Sequence, residues 1–170
     1  MDEHLKLVAI IEADRHVIVG AKALAAYMKQ RFTEDTDYVV GHKTMQKVRQ
    51  WLKRETVAHE DSGETIRVPE LGIDIIDAAH NPVLKEILKR DSGIPSPEAL
   101  AASKYIAVVS GTRGQQKTHF DIGDFIGLVN LDGFQVERFL EYLVDRYEEQ
   151  RPHARELIGR IKRGDSPITF

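Results

Sequence analysis

Apolar positions along the chain change period from one segment to the next, and the changes mark out the elements. Leu5, Val8, Ala9 and Glu12 read as a first short helix. His16-Val17-Ile18-Val19-Gly20 is an apolar run ending in glycine, the pattern of a buried strand closed by a tight turn. Ala21 to Lys29 is rich in alanine and predicts a helix. Polar residues from Gln30 to Thr36 lead into a second strand, Asp37-Tyr38-Val39-Val40. Met45, Val48 and Leu52, with Trp51 beside them, form the apolar stripe of a further helix. Thr56 to Glu60 and Thr65 to Val68 flank the polar turn Asp61-Ser62-Gly63-Glu64, which predicts a hairpin. Gly72 to Asp77 reads as another strand.

Beyond that strand the pattern is helical throughout. Segments are expected at about Val83 to Arg90, Pro97 to Ser110, Lys117 to Val129, Gly133 to Glu149 and Pro152 to Arg163. Ser96-Pro97-Glu98 supplies a capping serine and a proline in the first turn. Strands in the first half and helices in the second argue for an α+β protein: a small mixed sheet with flanking helices, then a C-terminal helical region. Residues 1–95 are expected to form the core and 96–170 a helical region packed on it, with Gly93 to Pro97 as the seam.

Composition narrows the function classes. With 170 residues the chain can bury a core unaided, and the absence of cysteine removes disulfides, thiolate metal sites and cysteine nucleophiles. The opening Met1-Asp2-Glu3-His4 lacks the basic charge of a signal peptide, and no apolar run approaches the ~18 residues of a membrane span. A cytoplasmic protein with no membrane partner is the expectation. The net charge of −3 argues against a protein that coats nucleic acid, although a local basic patch can still serve an RNA substrate. Arg151, Arg155, Arg160, Lys162 and Arg163 form such a patch, whose simpler explanation is a solvated helix face.

Four features carry candidate chemistry. Gly20-Ala21 follows a strand and opens a helix, a place where backbone N–H groups can approach a phosphate; a glycine there also serves for steric reasons alone. In an extended segment Asp35 and Asp37 point to the same side, and two adjacent carboxylates repel unless a hard divalent cation relieves them. A solvated acidic loop is the competing reading. Asp74 and Asp77 lie in an apolar strand, where a charge is costly unless it is paired, hydrogen-bonded or metal-bound. They point to opposite faces, so only one can join Asp35 and Asp37. Finally, Lys104 falls within an apolar helical stripe with Leu100, Ala107 and Val108. It requires a carboxylate or phosphate partner. Asp121 borders the stripe Ile122, Phe125, Ile126 and Val129 on the next helix, whereas Asp124 is expected to face water. A structural ion pair between Lys104 and Asp121 competes with a phosphate contact. The run Gly111 to Thr118 is not a P-loop, because Gln116 stands where the motif needs glycine.

Taken together, these residues resemble the DNA polymerase β-type nucleotidyltransferase superfamily, in particular its small bacterial branch with the AbiEii and MenT-like toxin nucleotidyltransferases. Val19-Gly20-Ala21-Lys22-Ala23-Leu24 resembles the strand–Gly-Gly/Ser–helix opening. Arg31, Thr33, Asp35 and Asp37 resemble the Arg-x-Thr-x-Asp-x-Asp metal motif, and Ile73-Asp74-Ile75-Ile76 the strand with the third carboxylate, favouring Asp74 over Asp77. Pro97 to Lys104 is similar to the Glu-x-Leu-x-x-x-Lys helix of this branch, and Arg113, Lys117 and Asp121 to the segment after it. The likeness runs from about His16 to Val129. Ala21 departs from it where a second glycine or serine is usual, and Thr118 where an aspartate follows the lysine.

The resemblance implies the nucleotidyltransferase fold and transfer of a nucleoside monophosphate from a nucleoside triphosphate to a hydroxyl. It implies Mg²⁺ or Mn²⁺ held by Asp35, Asp37 and Asp74, which are also the catalytic residues. It implies nucleotide contacts from Gly20, Ala21, Thr33, Lys104 and Asp121, an RNA or tRNA acceptor, and an antitoxin protein as partner. Two rivals stand beside this expectation: a catalytically silent nucleotide-binding or antitoxin-binding module on the same scaffold, and a transferase acting on a small molecule such as an antibiotic.

Overall fold

The computed structural model describes residues 2–29, 35–112 and 114–170. The candidate Thr33, together with Arg31 and Arg113, lies outside them. The protein is α+β, with a five-stranded mixed sheet in the order β1-β2-β5-β4-β3. The strands are β1 (His16–Val19), β2 (Thr36–Val40), β3 (Glu60–Asp61), β4 (Thr65–Val68) and β5 (Ile73–Asp77). β2 and β5 run parallel at the centre, and every other neighbouring pair is antiparallel.

The apolar stripes expected from the sequence bury opposite faces of this sheet. Helices α1 (Glu3–Glu12) and α3 (His42–Glu55) cover one face through Leu7, Ile11, Met45, Val48, Trp51 and Leu52, which meet Tyr38, Val40, Ile73 and Ile75. The other face is covered by α2 (Gly20–Leu24), α4 (Pro82–Arg90), α5 (Pro97–Val109), α6 (Gln115–Val129), α7 (Val136–Tyr142) and α8 (Arg151–Arg163). Val17, Val19 and Val39 supply the sheet side of that second core. Among the described residues no helix is long and apolar enough to cross a membrane.

Two local expectations are corrected. The helix expected over Ala21 to Lys29 ends at Leu24; Ala26 and Tyr27 then bond back only three residues, and the Tyr27 hydroxyl is held by the Pro95 carbonyl at 2.7 Å. The single helix expected over Gly133 to Glu149 is α7 followed by a 3-10 turn, Asp145–Gln150. Asp145 is left-handed (φ 53°), and the Arg151 side chain takes the Leu143 carbonyl that a continuous helix would use. The seam at Gly93 to Pro97 is stitched to the sheet: Ile18 N–H donates to Gly93 O at 2.7 Å, and Gly93 N–H to His16 O at 3.0 Å.

Candidate functional site

The strand register assembles the carboxylates. Asp37 of β2 lies directly abreast of Asp74 of β5, and parallel strands stand about 4.8 Å apart. Both point to the face that carries Val39, away from α1 and α3. Asp35, exposed just before β2, has the same parity as Asp37. Asp77, three residues after Asp74, falls on the opposite face and is fully buried there. Its carboxylate accepts from Ala79 N–H at 2.9 Å and meets His42 Nδ1 at 2.7 Å. Asp77 thus closes a turn and anchors the start of α3, whereas Asp74 shares the face of Asp37.

Gly20 positions Asp37. Its backbone is left-handed (φ 70°), and a Cβ added there would lie 2.0 Å from Asp37 Oδ2. A residue with a side chain would displace the very carboxylate that faces Asp74, so the glycine serves a close approach as well as a turn. α2 is only five residues long, and its first residues Gly20 and Ala21 border Asp37 through the Val19↔Asp37 register.

Asp74 is half-buried, and burial pushes its carboxyl above the ordinary value of 3.8. Arg67 and, more weakly, Lys117 pull it down, whereas the charge on Asp35 pushes it further up. Arg67 stands abreast of Asp74 on β4, with Nε 3.7 Å from the carboxylate. The net environment still disfavours the negative charge, which is the electrostatic condition in which an added cation is welcome. Among the described residues no group of three or more His, Asp or Glu is gathered into a metal-binding cluster. Two concavities elsewhere, of about 470 and 390 Å³, include none of these carboxylates, and Asp37 and Asp74 are both partly exposed.

Lys104 and Asp121 are brought together, but not in an open cleft. The Lys104 side chain is 10% exposed, and its ammonium lies 2.8 Å from Asp121 Oδ1 and 2.8 Å from Asp124 Oδ2. Asp124 is therefore buried, correcting the expectation that it faces water. The buried side of α6 is Asp121, Asp124, Phe125, Leu128 and Val129, rotated from the stripe drawn through Ile122 and Ile126. The rotation follows from the lysine: two carboxylates three positions apart share a helix face and can both reach one ammonium. That i, i+3 spacing was the available signal for Asp124. For Arg67, also missed, the signal was the short turn Pro69 to Gly72, which folds β4 back beside β5.

No protein-family model matches the chain, and a comparison with curated proteins finds no match.

Proposed function

We propose that the protein is a metal-dependent nucleotidyltransferase of the DNA polymerase β type, moving a nucleoside monophosphate from a nucleoside triphosphate to a hydroxyl. The observation that carries this reading is the in-register placement of Asp37 and Asp74 on adjacent parallel strands, with Asp35 two residues before Asp37. The motif likeness at Arg31 to Asp37 and at Asp74 supports it independently of the register. Two facing carboxylates fit magnesium, which is typically held by one or two carboxylates while waters and phosphates complete the shell. Asp35, Asp37 and Asp74 would be its ligands. When bound, Mg²⁺ or Mn²⁺ supplies charge neutralisation at the phosphates.

The remaining roles belong to side chains. In the transfer the acceptor oxygen bonds to the α-phosphorus as the bond to the pyrophosphate oxygen breaks, and the hydroxyl proton needs a base. Asp74, whose proton affinity is raised, is placed to take that proton on a carboxylate oxygen. Lys117 lies near enough to influence Asp74, and so can meet phosphate charge at the site's edge. Lys104 and Asp121 act as positioning residues: with Asp124 they fix α6, which carries Lys117, against α5.

One observation favours the silent nucleotide-binding alternative: Arg67 stands where it can neutralise Asp74 in place of a metal. Incubating the protein with each labelled triphosphate, magnesium and total RNA decides between them. Metal-dependent pyrophosphate release with label in RNA supports transfer. Triphosphate binding without release under all four bases supports the silent module. Release with label absent from RNA directs the search to a small-molecule acceptor.

A further inference from the structure

The protein's cations differ in how far they are engaged. Those of α8 are committed internally: Arg151 donates to Leu143 O, Arg155 pairs with Glu137, Arg160 donates to Pro167 O, Arg163 pairs with Asp165, and Lys162 lies over the Phe134 ring. Each cation of that patch is thus engaged within the chain, Arg155 and Arg163 by carboxylates. A second basic group includes two that are not. A cleft of about 390 Å³ between the turn before β1, the start of α3 and α4 is lined by Arg15, Lys43, Lys85 and Lys89. Its one acid, Asp14, is already matched: Lys47 Nζ approaches at 2.6 Å and the Thr44 hydroxyl donates at 2.9 Å. These bonds hold the Asp14 carboxyl below its ordinary range. Arg15 is fixed at the wall by donating to Lys89 O at 2.7 Å, and the Lys89 ammonium makes a loose 3.7 Å approach to Glu86. Lys43 and Lys85 are exposed, and among the described residues their ammonium groups make no ion pair or hydrogen bond.

We propose that this cleft binds phosphate groups. Four cations line the cleft, while the nearby acids Asp14 and Glu86 are already paired, so Lys43 and Lys85 leave a surplus that a phosphate dianion, or successive phosphodiesters, satisfies. An excess of lysine on an open wall suits a ligand whose charge is spread along a backbone. The site is separate from the carboxylate pair: Lys43 lies beyond the end of β2, whereas Asp37 stands near its beginning, three residues and about 10 Å back along the strand from Val40. It also stands whether or not the protein transfers nucleotides.

The test uses the whole protein in EDTA, so that no metal-dependent step contributes. Binding of a labelled single-stranded RNA is followed by fluorescence anisotropy, and binding of inorganic phosphate by amide chemical shifts, at constant ionic strength. Lys43→Glu/Lys85→Glu should weaken RNA binding by about tenfold or more and flatten its salt dependence. Lys29→Glu/Lys53→Glu, the same charge change on exposed positions elsewhere, should stay within about twofold of wild type. Displacement of RNA by millimolar phosphate places single phosphates in the cleft; cleft-dependent RNA binding without displacement assigns it to the backbone. Equal losses in both double variants, or no cleft-dependent binding of either ligand, would overturn the proposal. Thermal melts of both variants, and the milder Lys43→Gln/Lys85→Gln, separate lost contacts from lost fold.

Discussion

Two pairs of aspartates meet the same physical problem and solve it differently. On α6, Asp121 and Asp124 lie side by side in the interior, and the chain supplies their counter-charge: Lys104 stands 2.8 Å from each. On the sheet, Asp37 and Asp74 are abreast on β2 and β5, and the Arg67 guanidinium stands off from Asp74 at 3.7 Å. Asp74 remains raised in proton affinity despite it. The difference teaches where to look for chemistry. A buried charge cluster closed by its own lysine is a piece of architecture, and a carboxylate whose charge stays disfavoured beside its neighbours, as at Asp74, is where an external cation would gain most.

The comparison breaks most visibly at the sheet pair. Asp37→Asn or Asp74→Asn should lower metal-dependent pyrophosphate release by about 10³-fold or more while the protein stays folded, whereas Asp77→Asn, on the other face, should leave turnover within several-fold. Steady-state assays with the three variants check this; equal losses at Asp74 and Asp77 would remove Asp74 from the site. Next in size is the triad. Lys104→Met removes the ammonium that two buried carboxylates share and should cost about 3–5 kcal/mol, seen as a fall in melting temperature on the order of 10 °C. Lys104→Met/Asp121→Leu/Asp124→Leu should recover most of it. A normal melt for the single variant would show that the triad is not what holds α5 to α6.

Gly20→Ala should be milder, costing about 1–2 kcal/mol for a left-handed alanine. Its loss of turnover should exceed what that destabilisation explains, because the new Cβ displaces Asp37. The smallest effect is in acid. Because burial raises the Asp74 carboxyl, the folded state favours its protonated form. The stability from that group is fully present below pH 3.8 and is lost as pH rises through its raised folded value. Asp74→Asn should therefore match wild type in urea near pH 3 and slightly exceed it at about pH 7. An advantage for wild type at neutral pH would show that Arg67, not burial, governs the group.

Much of the sheet was legible because its signal is local. The runs Val17 to Val19, Val39-Val40 and Ile73 to Ile76 are apolar enough to be strands wherever they pack, and odd spacing alone places Asp74 and Asp77 on opposite faces. The abreast arrangement of Asp37 and Asp74 was not legible, since register between β2 and β5 is set by contacts across more than thirty residues of intervening chain. Asp124 was misread for a related reason: periodicity assigns polar residues to solvent, and only Lys104, on another helix, turns that side of α6 inward. The break after α7 had no glycine or proline to announce it. It depends on Arg151 reaching back to Leu143.

The bridge between Gly93 and β1 bears on how this chain avoids its neighbours. An outer strand with free N–H and C=O groups is a template for another molecule's strand, and β1 is the long outer strand here. By bonding to the flank of β1 through both His16 and Ile18, Gly93 occupies part of that template. At the far margin β3 is two residues long and carries Glu60 and Asp61, too short and too acidic to recruit a partner strand readily. The connection between the halves of the chain therefore doubles as a guard against edge-to-edge association, and lengthening or cutting it near Gly93 should first appear as aggregation.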